Sequence, residues 1–165
     1  MAICADDWVV HPQHGVGRVV GLEERQFGAG PRQQYYQIAI HGGTVWVPVG
    51  GGPRGLRPLT PRGELPKYRG VLRSRPSPLA DDHRDRQVHL LERLQTSTFR
   101  ARCEVVRDLA GLRWHKPLSE GSLLLLRTTH HEVCAEWAAA AGLTLVEATD
   151  EVDALLLEGR KAHEA

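Results

Sequence analysis

The sequence predicts an α+β protein in which a small N-terminal β-barrel of the Tudor-like or SH3-like kind is followed by a C-terminal all-α helical bundle. Over about the first fifty residues, apolar and polar side chains alternate in short runs separated by glycine and proline, a pattern typical of strands and tight turns. From His83 onward the apolar spacing becomes helical. The predicted domains are residues 1–59 and 83–165, and residues 60–82 form a connector.

The first two strands are expected on either side of a tight turn, at residues 8–10 and 16–25. Pro12 lacks a backbone donor, so a central strand does not run through it. Gly15 and Gly17 are expected to supply turn or bulge conformations that other residues adopt only at a cost. The second strand is expected to alternate regularly.

Three further strands complete the predicted barrel, at residues 35–40, 44–49 and 56–59. In the fourth strand, valines occupy one face and Trp46 lies opposite, because successive side chains of a strand point to opposite sides. Pro48 places this strand at an edge of the sheet or close to the strand's own end.

The connector is expected to contain one helix over residues 62–73, interrupted early by Pro66. The Arg75–Pro78 segment then ends it, because each proline disfavours helix in the residue before it. This break marks the predicted domain boundary.

The bundle is predicted to contain four helices, placed by capping residues and by 3.6-residue spacing. In chain order they run from His83 to Leu94 or Gln95, from Ser97 or Thr98 to Gly111, from Ser119 or Ser122 to Gly142, and from Asp150 to Arg160 and Lys161. Trp114 is expected in the loop between the second and third of these helices.

Charge is distributed unevenly along the chain. Residues 61–120 carry a net charge of +5 and residues 121–165 a net charge of −5, and 18 of the 21 basic residues are arginine. The guanidinium fork suits phosphates and carboxylates. The basic middle is therefore either a nucleic-acid face or a solvated surface paired with nearby acids.

The composition is that of a cytoplasmic protein. No run approaches the roughly 20 apolar residues of a membrane span, and residues 1–7 do not resemble a signal peptide. Cys4, Cys103 and Cys134 are widely spaced and include no CxxC pair, so three reduced thiols are expected.

No motif in the sequence indicates catalysis, a metal or a cofactor. The nine histidines show no zinc-ligand spacing, and the glycine-rich run at residues 50–55 lacks the lysine of a phosphate-binding loop. No nucleophile elbow or paired-carboxylate motif is present. We therefore expect a protein that is not an enzyme and that needs neither a metal nor a cofactor; an enzyme that uses the histidines is the weakest alternative.

Two tryptophans are candidate contact residues. Trp46 either fills the second face of the barrel or anchors an interface, since tryptophan and arginine dominate interaction hot spots. Trp114 either covers the bundle, which we favour, or meets a partner.

These segments resemble the CarD/CdnL family of bacterial transcription regulators. The resemblance rests first on residues 8–19, 34–38 and 45–49, which read WVVHPQHGVGRV, QYYQI and VWVPV. Residues 104–109 and 118–121, which read EVVRDL and LSEG, extend it into the helical half. Transcription-repair coupling factors carry a similar barrel, but here the barrel is followed by a bundle without helicase motifs.

The resemblance implies a two-part mechanism. The Tudor-like domain docks on the β subunit of RNA polymerase within the sigma-containing holoenzyme. The helical domain then contacts promoter DNA near the upstream edge of the −10 element and modulates open-complex stability. The implied partners are polymerase and DNA, without a membrane, and the protein is expected to be a monomer.

The resemblance also suggests site residues. Arg25 matches an arginine that family members use against polymerase, whereas Trp46 occupies the position of a second such arginine. We assign Arg25, Phe27 and Trp46 to polymerase binding.

The DNA-facing residues are assigned in the same way. The family's minor-groove wedge, a tryptophan, corresponds by position to His83. We assign the DNA contacts to His83, Arg84, Arg86, Arg75 and Lys116. The main alternative is a polymerase-binding adaptor that has no wedge role on DNA.

Overall fold

The structure, a computed structural model, describes residues 3–50 and 56–164. The chain divides into two compact units, Met1–Leu59 and Thr60–Ala165. A five-stranded antiparallel sheet forms in the first unit and helices form in the second, which confirms the predicted α+β class. Residues 51–55, within the predicted glycine-rich run, lie outside the described residues.

The sheet places the strands in the order β4-β3-β2-β1-β5. The strands are β1 Trp8–His11, β2 Gly15–Arg25, β3 Gln33–Ile40, β4 Gly43–Pro48 and β5 Arg57–Pro58. Every pairing is antiparallel. β4 is an edge strand and ends at Pro48, as the proline predicts. The predicted barrel is not confirmed, because in the described residues β4 and β5 remain the two open edges of the sheet.

One face of the sheet, the inner face, carries the small core of this unit. Val9, Val19 and Ile38 are almost fully buried there. Gly17 lies in the regular strand beside them, and a Cβ atom at Gly17 would lie 2.6 Å from the Cγ2 atom of Ile38. Close packing, rather than the turn or bulge conformation predicted from sequence, is therefore the reason for this glycine.

The second strand does not alternate regularly, contrary to prediction. The register shifts between Val19 and Gly21, so that Val19 pairs with Ile38 but Gly21 pairs with Gln37. Neighbouring residues of β3 point to opposite faces, so Val20 is the extra residue of a β-bulge. After it, the odd-numbered residues of β2 change from the inner face to the opposite one, the outer face.

The second unit is helical throughout its regular structure. Its elements are a 3-10 turn at Arg62–Glu64 and the helices α1 Leu65–Arg73, α2 His83–Leu94, α3 Phe99–His115, α4 Glu120–Ala141 and α5 Leu145–His163. None of the described helices is long and apolar enough to cross a membrane.

The first helix is part of the bundle and not of a free connector. Leu65, Tyr68 and Leu72 of α1 are buried in the same apolar core as Phe99 and Trp137. Pro66 lies in the first turn of α1, where a missing backbone N–H costs nothing. It therefore starts the helix instead of interrupting it.

Two helix boundaries differ from the prediction. α3 continues past Gly111 to His115, so Trp114 lies in its last turn and not in a loop. α5 begins at Leu145 and not at Asp150, because Thr144 and Glu147 form a reciprocal capping box.

Candidate protein-binding and nucleic-acid-binding surfaces

Five side chains meet on the outer face of the sheet, and we call them the Trp46 cluster: Glu23, Arg25, Phe27, Tyr35 and Trp46. Glu23 of β2 lies opposite Tyr35 of β3, and Trp46 of β4 lies opposite Gln37 of β3. Tyr35 and Gln37 are two residues apart in β3 and therefore share a face, so their partners lie on that face too. The bulge at Val20 brings Glu23 and Arg25 to this face. The three residues assigned to polymerase binding from sequence therefore lie together.

A charged pair and an indole form the centre of the Trp46 cluster. The Arg25 guanidinium lies 4.4 Å from the centre of the Trp46 ring and its Nε atom lies 3.1 Å from Oε2 of Glu23. The Trp46 Nε1–H donates to the same carboxylate oxygen at 3.2 Å. The Arg25 and Trp46 donors hold the pKa of Glu23 below its ordinary value, so Glu23 is a carboxylate at neutral pH.

The aromatic side chains of the Trp46 cluster differ in how deeply they are buried. Tyr35 is 8% exposed and its ring packs edge-on against Phe27 at 4.9 Å, while Phe27 is 47% exposed. The Phe27 and Trp46 rings lie 6.4 Å apart. Trp46 thus covers the outer face of the sheet, and Phe27 and the half-exposed Arg25 present an aromatic and cationic surface to solvent.

In the helical unit, the start of α2 is exposed. His83 is the first residue of the helix and Arg84 follows it, and both side chains face solvent. Asp82 caps the helix by accepting a hydrogen bond from the Asp85 backbone N–H at 3.1 Å. Together with Asp81, these carboxylates make the immediate surroundings of His83 acidic.

Arg86 does not belong to this exposed surface, and its assignment to DNA contact is corrected. It is 4% exposed. Its Nε donates to Ser122 Oγ at 3.0 Å, and its Nη1 donates to the carbonyl oxygens of Ala80 at 3.0 Å and Asp81 at 3.3 Å. The guanidinium therefore holds the start of α2 against the start of α4, and its donors are not presented to a phosphate.

Arg75 and Lys116 are exposed and lie on other elements. Arg75 precedes the proline-rich segment between α1 and α2, and Lys116 caps the C-terminal end of α3. Within the described part of the chain, neither side chain forms an ion pair, nor does that of Arg84. These three cations are free to meet a phosphate.

Comparison with known proteins shows what the first unit resembles. Residues 5–60 match the model of the CarD-like/TRCF RID domain. The N-terminal unit is similar to a CarD-like/TRCF RID domain. The chain is also 26% identical over 141 residues to a Bacillus subtilis protein named "Putative transcription factor YdeB", covering 84% of this chain and 92% of that protein. The resemblance to CarD-like proteins is thus confirmed.

Sequence reasoning missed two members of the Trp46 cluster in the N-terminal unit. Glu23 and Tyr35 shape the surface around Arg25 and Trp46, but regular alternation along β2 would place Glu23 on the face of Val19. The signal that could have corrected this is Gly21 inside a strand pattern, since an isolated glycine there often marks a bulge.

The contrast between Arg84 and Arg86 gives a stability prediction. Arg86→Ala is expected to lower the free energy of unfolding by about 2–4 kcal/mol, because buried acceptors lose a charged donor. Arg84→Ala, at an exposed position of the same helix, is expected to change it by no more than about 0.5 kcal/mol. Urea unfolding of both variants measures the difference, and equal midpoints would contradict the structural role of Arg86.

Proposed function

We propose that this chain is a bacterial transcription regulator whose RID domain docks on the β subunit of RNA polymerase through the Trp46 cluster. The family description of residues 5–60 and the name of the Bacillus subtilis relative support a role in transcription. The observation that carries the docking site is the meeting of Arg25, Phe27 and Trp46 on one exposed face of that domain.

The cluster has the properties of an interaction hot spot. Aromatic and arginine side chains contribute most of the binding free energy at many interfaces. Here Trp46 holds Arg25 and Glu23 through a ring contact and a hydrogen bond, so these side chains lose little conformational freedom on binding. Phe27 extends the same surface into solvent and gives a partner an apolar group to bury.

The helical unit is proposed to act on promoter DNA at the upstream edge of the −10 element, within the sigma-containing holoenzyme. Docking by the RID domain raises the effective concentration of this unit beside DNA, so its own DNA affinity need not be high. We assign phosphate contacts to Arg84, Arg75 and Lys116, which are exposed. The protein acts in the cytoplasm as a monomer in this proposal.

His83 is proposed to lie at the edge of the transcription bubble. Its exposed position at the first residue of α2 lets the imidazole approach a base step. A wedge must offset a few kcal/mol of unstacking, and an imidazole offers less apolar surface than an indole. The open complex is therefore proposed to be stabilised only modestly by this chain.

A second candidate function is that of a polymerase-binding adaptor without a wedge role. Two observations favour it. Arg86 is buried and donates within the protein, and the carboxylates of Asp81, Asp82 and Asp85 surround the start of α2. Carboxylates at that position repel the phosphates that a wedge must approach.

The docking proposal predicts a loss of binding in two single variants of the full chain. Arg25→Ala and Trp46→Ala are each expected to weaken binding to the isolated β subunit roughly 30-fold, about 2 kcal/mol. Because the two side chains touch, the double variant should lose less binding free energy than the two single variants lose in sum. Surface plasmon resonance on immobilised β subunit measures the three affinities.

Arg32→Ala is the matched control, since Arg32 belongs to the same unit and pairs at 3.1 Å with Glu24, whose place in β2 is on the face opposite to the cluster. It is expected to bind β as the parent chain does. Undiminished binding by the double variant, with its fold intact by circular dichroism, would refute the assignment of the Trp46 cluster.

The DNA proposal predicts changes in open-complex lifetime. His83→Trp is expected to lengthen it, roughly tenfold for each 1.4 kcal/mol of added stabilisation, because an indole fills a base step better than an imidazole. The Arg84→Ala/Lys116→Ala double variant is expected to shorten it, and Lys161→Ala, an exposed lysine at the end of α5, to leave it unchanged. Heparin-challenge decay on a promoter template measures each lifetime.

Binding to β should be the same for all of these variants. If the His83→Trp and Arg84→Ala/Lys116→Ala proteins give the parental lifetime on several promoters, the helical unit does not act at the bubble edge. The adaptor would then be the better description of the protein.

A further inference from the structure

A cleft of about 590 Å³ opens between α3, α4 and α5 in the helical unit. Ligand sites in proteins usually have volumes between about 300 and 1,000 Å³. Ala110, Leu126 and Leu156 provide apolar lining, and Leu126 is only 7% exposed. The cleft therefore has the size and the apolar base of a small-molecule site.

The charged lining of the cleft is predominantly cationic. Arg113 comes from α3, Arg127 and His130 from α4, and Arg160 from α5, while Asp153 is the only carboxylate lining it among the described residues. Residues 121–165 contain eight acidic residues and three basic ones. Two of those three basic residues converge here, so a cationic cleft forms in the most acidic part of the chain.

Two of the arginines have no partner within the described part of the protein. Arg113 and Arg127 are exposed and form no hydrogen bond or ion pair there. Arg160 is partly engaged, because its Nε donates to Glu164 at 3.2 Å. Unpaired guanidinium groups on facing helices favour an anion with several oxygen acceptors, which a phosphate supplies.

His130 and Asp153 form an ion pair in the cleft wall. The Cys134 sulfur lies 3.7 Å from its Nε2 atom and Oδ1 of Asp153 lies 2.7 Å from the same atom. These two partners raise the pKa of His130 to about 9 against the opposing effect of burial. The imidazole is therefore protonated at neutral pH, and Asp153 is the neighbour that neutralises it.

Trp114 forms one side of the cleft. The indole is half-buried and the Arg160 guanidinium lies 5.6 Å from the centre of its ring. Aromatic rings beside cations are the surfaces on which proteins stack planar bases. Trp114 therefore covers part of the bundle, which is one of the two interpretations of the sequence, and leaves part of its ring at the cleft.

We propose that this cleft binds a small organic phosphate of nucleotide size, with Arg113 and Arg127 on the phosphate and Trp114 beside the planar ring. The proposal is independent of polymerase docking, which concerns the other unit. Three helices wall the cleft, so it fits a single nucleotide better than a duplex. The same phosphate chemistry is carried by free nucleotides and by single strands, and the experiment below separates these sources.

Isothermal titration of the full chain with ADP, without magnesium and at low salt, tests the proposal. Saturable binding of one ADP per chain is expected, and the Arg113→Ala/Arg127→Ala variant should bind at least tenfold more weakly. Arg100→Ala, an exposed arginine of α3 paired with Glu104 at 2.8 Å and not among the cleft-lining residues, should bind as the parent does. Adenosine, which lacks the phosphate, should bind at least tenfold more weakly than ADP.

Arg113 and Arg127 are both exposed, so their replacement should leave the thermal unfolding midpoint unchanged, which circular dichroism checks. Two results would overturn the proposal: no saturable ADP binding, whether or not a single-stranded oligodeoxynucleotide binds, and ADP binding that the double variant retains. Oligodeoxynucleotide binding without ADP binding would assign Arg113 and Arg127 to nucleic-acid contact instead.

Discussion

The surface that gives the N-terminal unit its proposed role depends on one extra residue in β2. Strand side chains alternate strictly, so a one-residue shift moves every later side chain to the other face. The bulge at Val20 lets Val19 fill the core while Arg25 meets Trp46 on the outer face. Without it, Glu23 and Arg25 would point to the face of Val19 and would not meet Trp46.

In the helical unit, buried polar contacts determine which side chains stay exposed. Asp108 is 1% exposed, and its carboxylate accepts from Arg93 at 2.9 Å, from Arg107 at 2.8 Å and from the Ser77 backbone N–H at 2.8 Å. A buried carboxylate is tolerated only when it is paired in this way. Asp108 and Arg86 together hold the segment between α1 and α2 on the bundle, leaving Arg84 exposed.

Periodicity and turn chemistry were sufficient to predict the α+β class and most of the strands and helices. They failed at positions where packing between distant parts of the chain determines the local structure or the exposure of a side chain. Gly111 looks like a helix stop, but it lies inside α3. It is a glycine because a Cβ atom there would come within 2.5 Å of Pro76. Arg84 and Arg86 are indistinguishable in sequence, and only the packing of α2 on α4 separates them. The start of α5, by contrast, is encoded locally, because Thr144 and Glu147 have the spacing of a capping box and precede Asp150.

Site-specific photo-crosslinking tests the central claim, that the Trp46 cluster is the surface by which this protein meets RNA polymerase. A benzophenone amino acid at Phe27, which is 47% exposed beside the cluster, should crosslink to the β subunit in the assembled holoenzyme. The same group at Val146, which is 70% exposed on α5, serves as the comparison and should give no β adduct. Absence of a β adduct from position 27 in a chain that still binds holoenzyme would contradict the account.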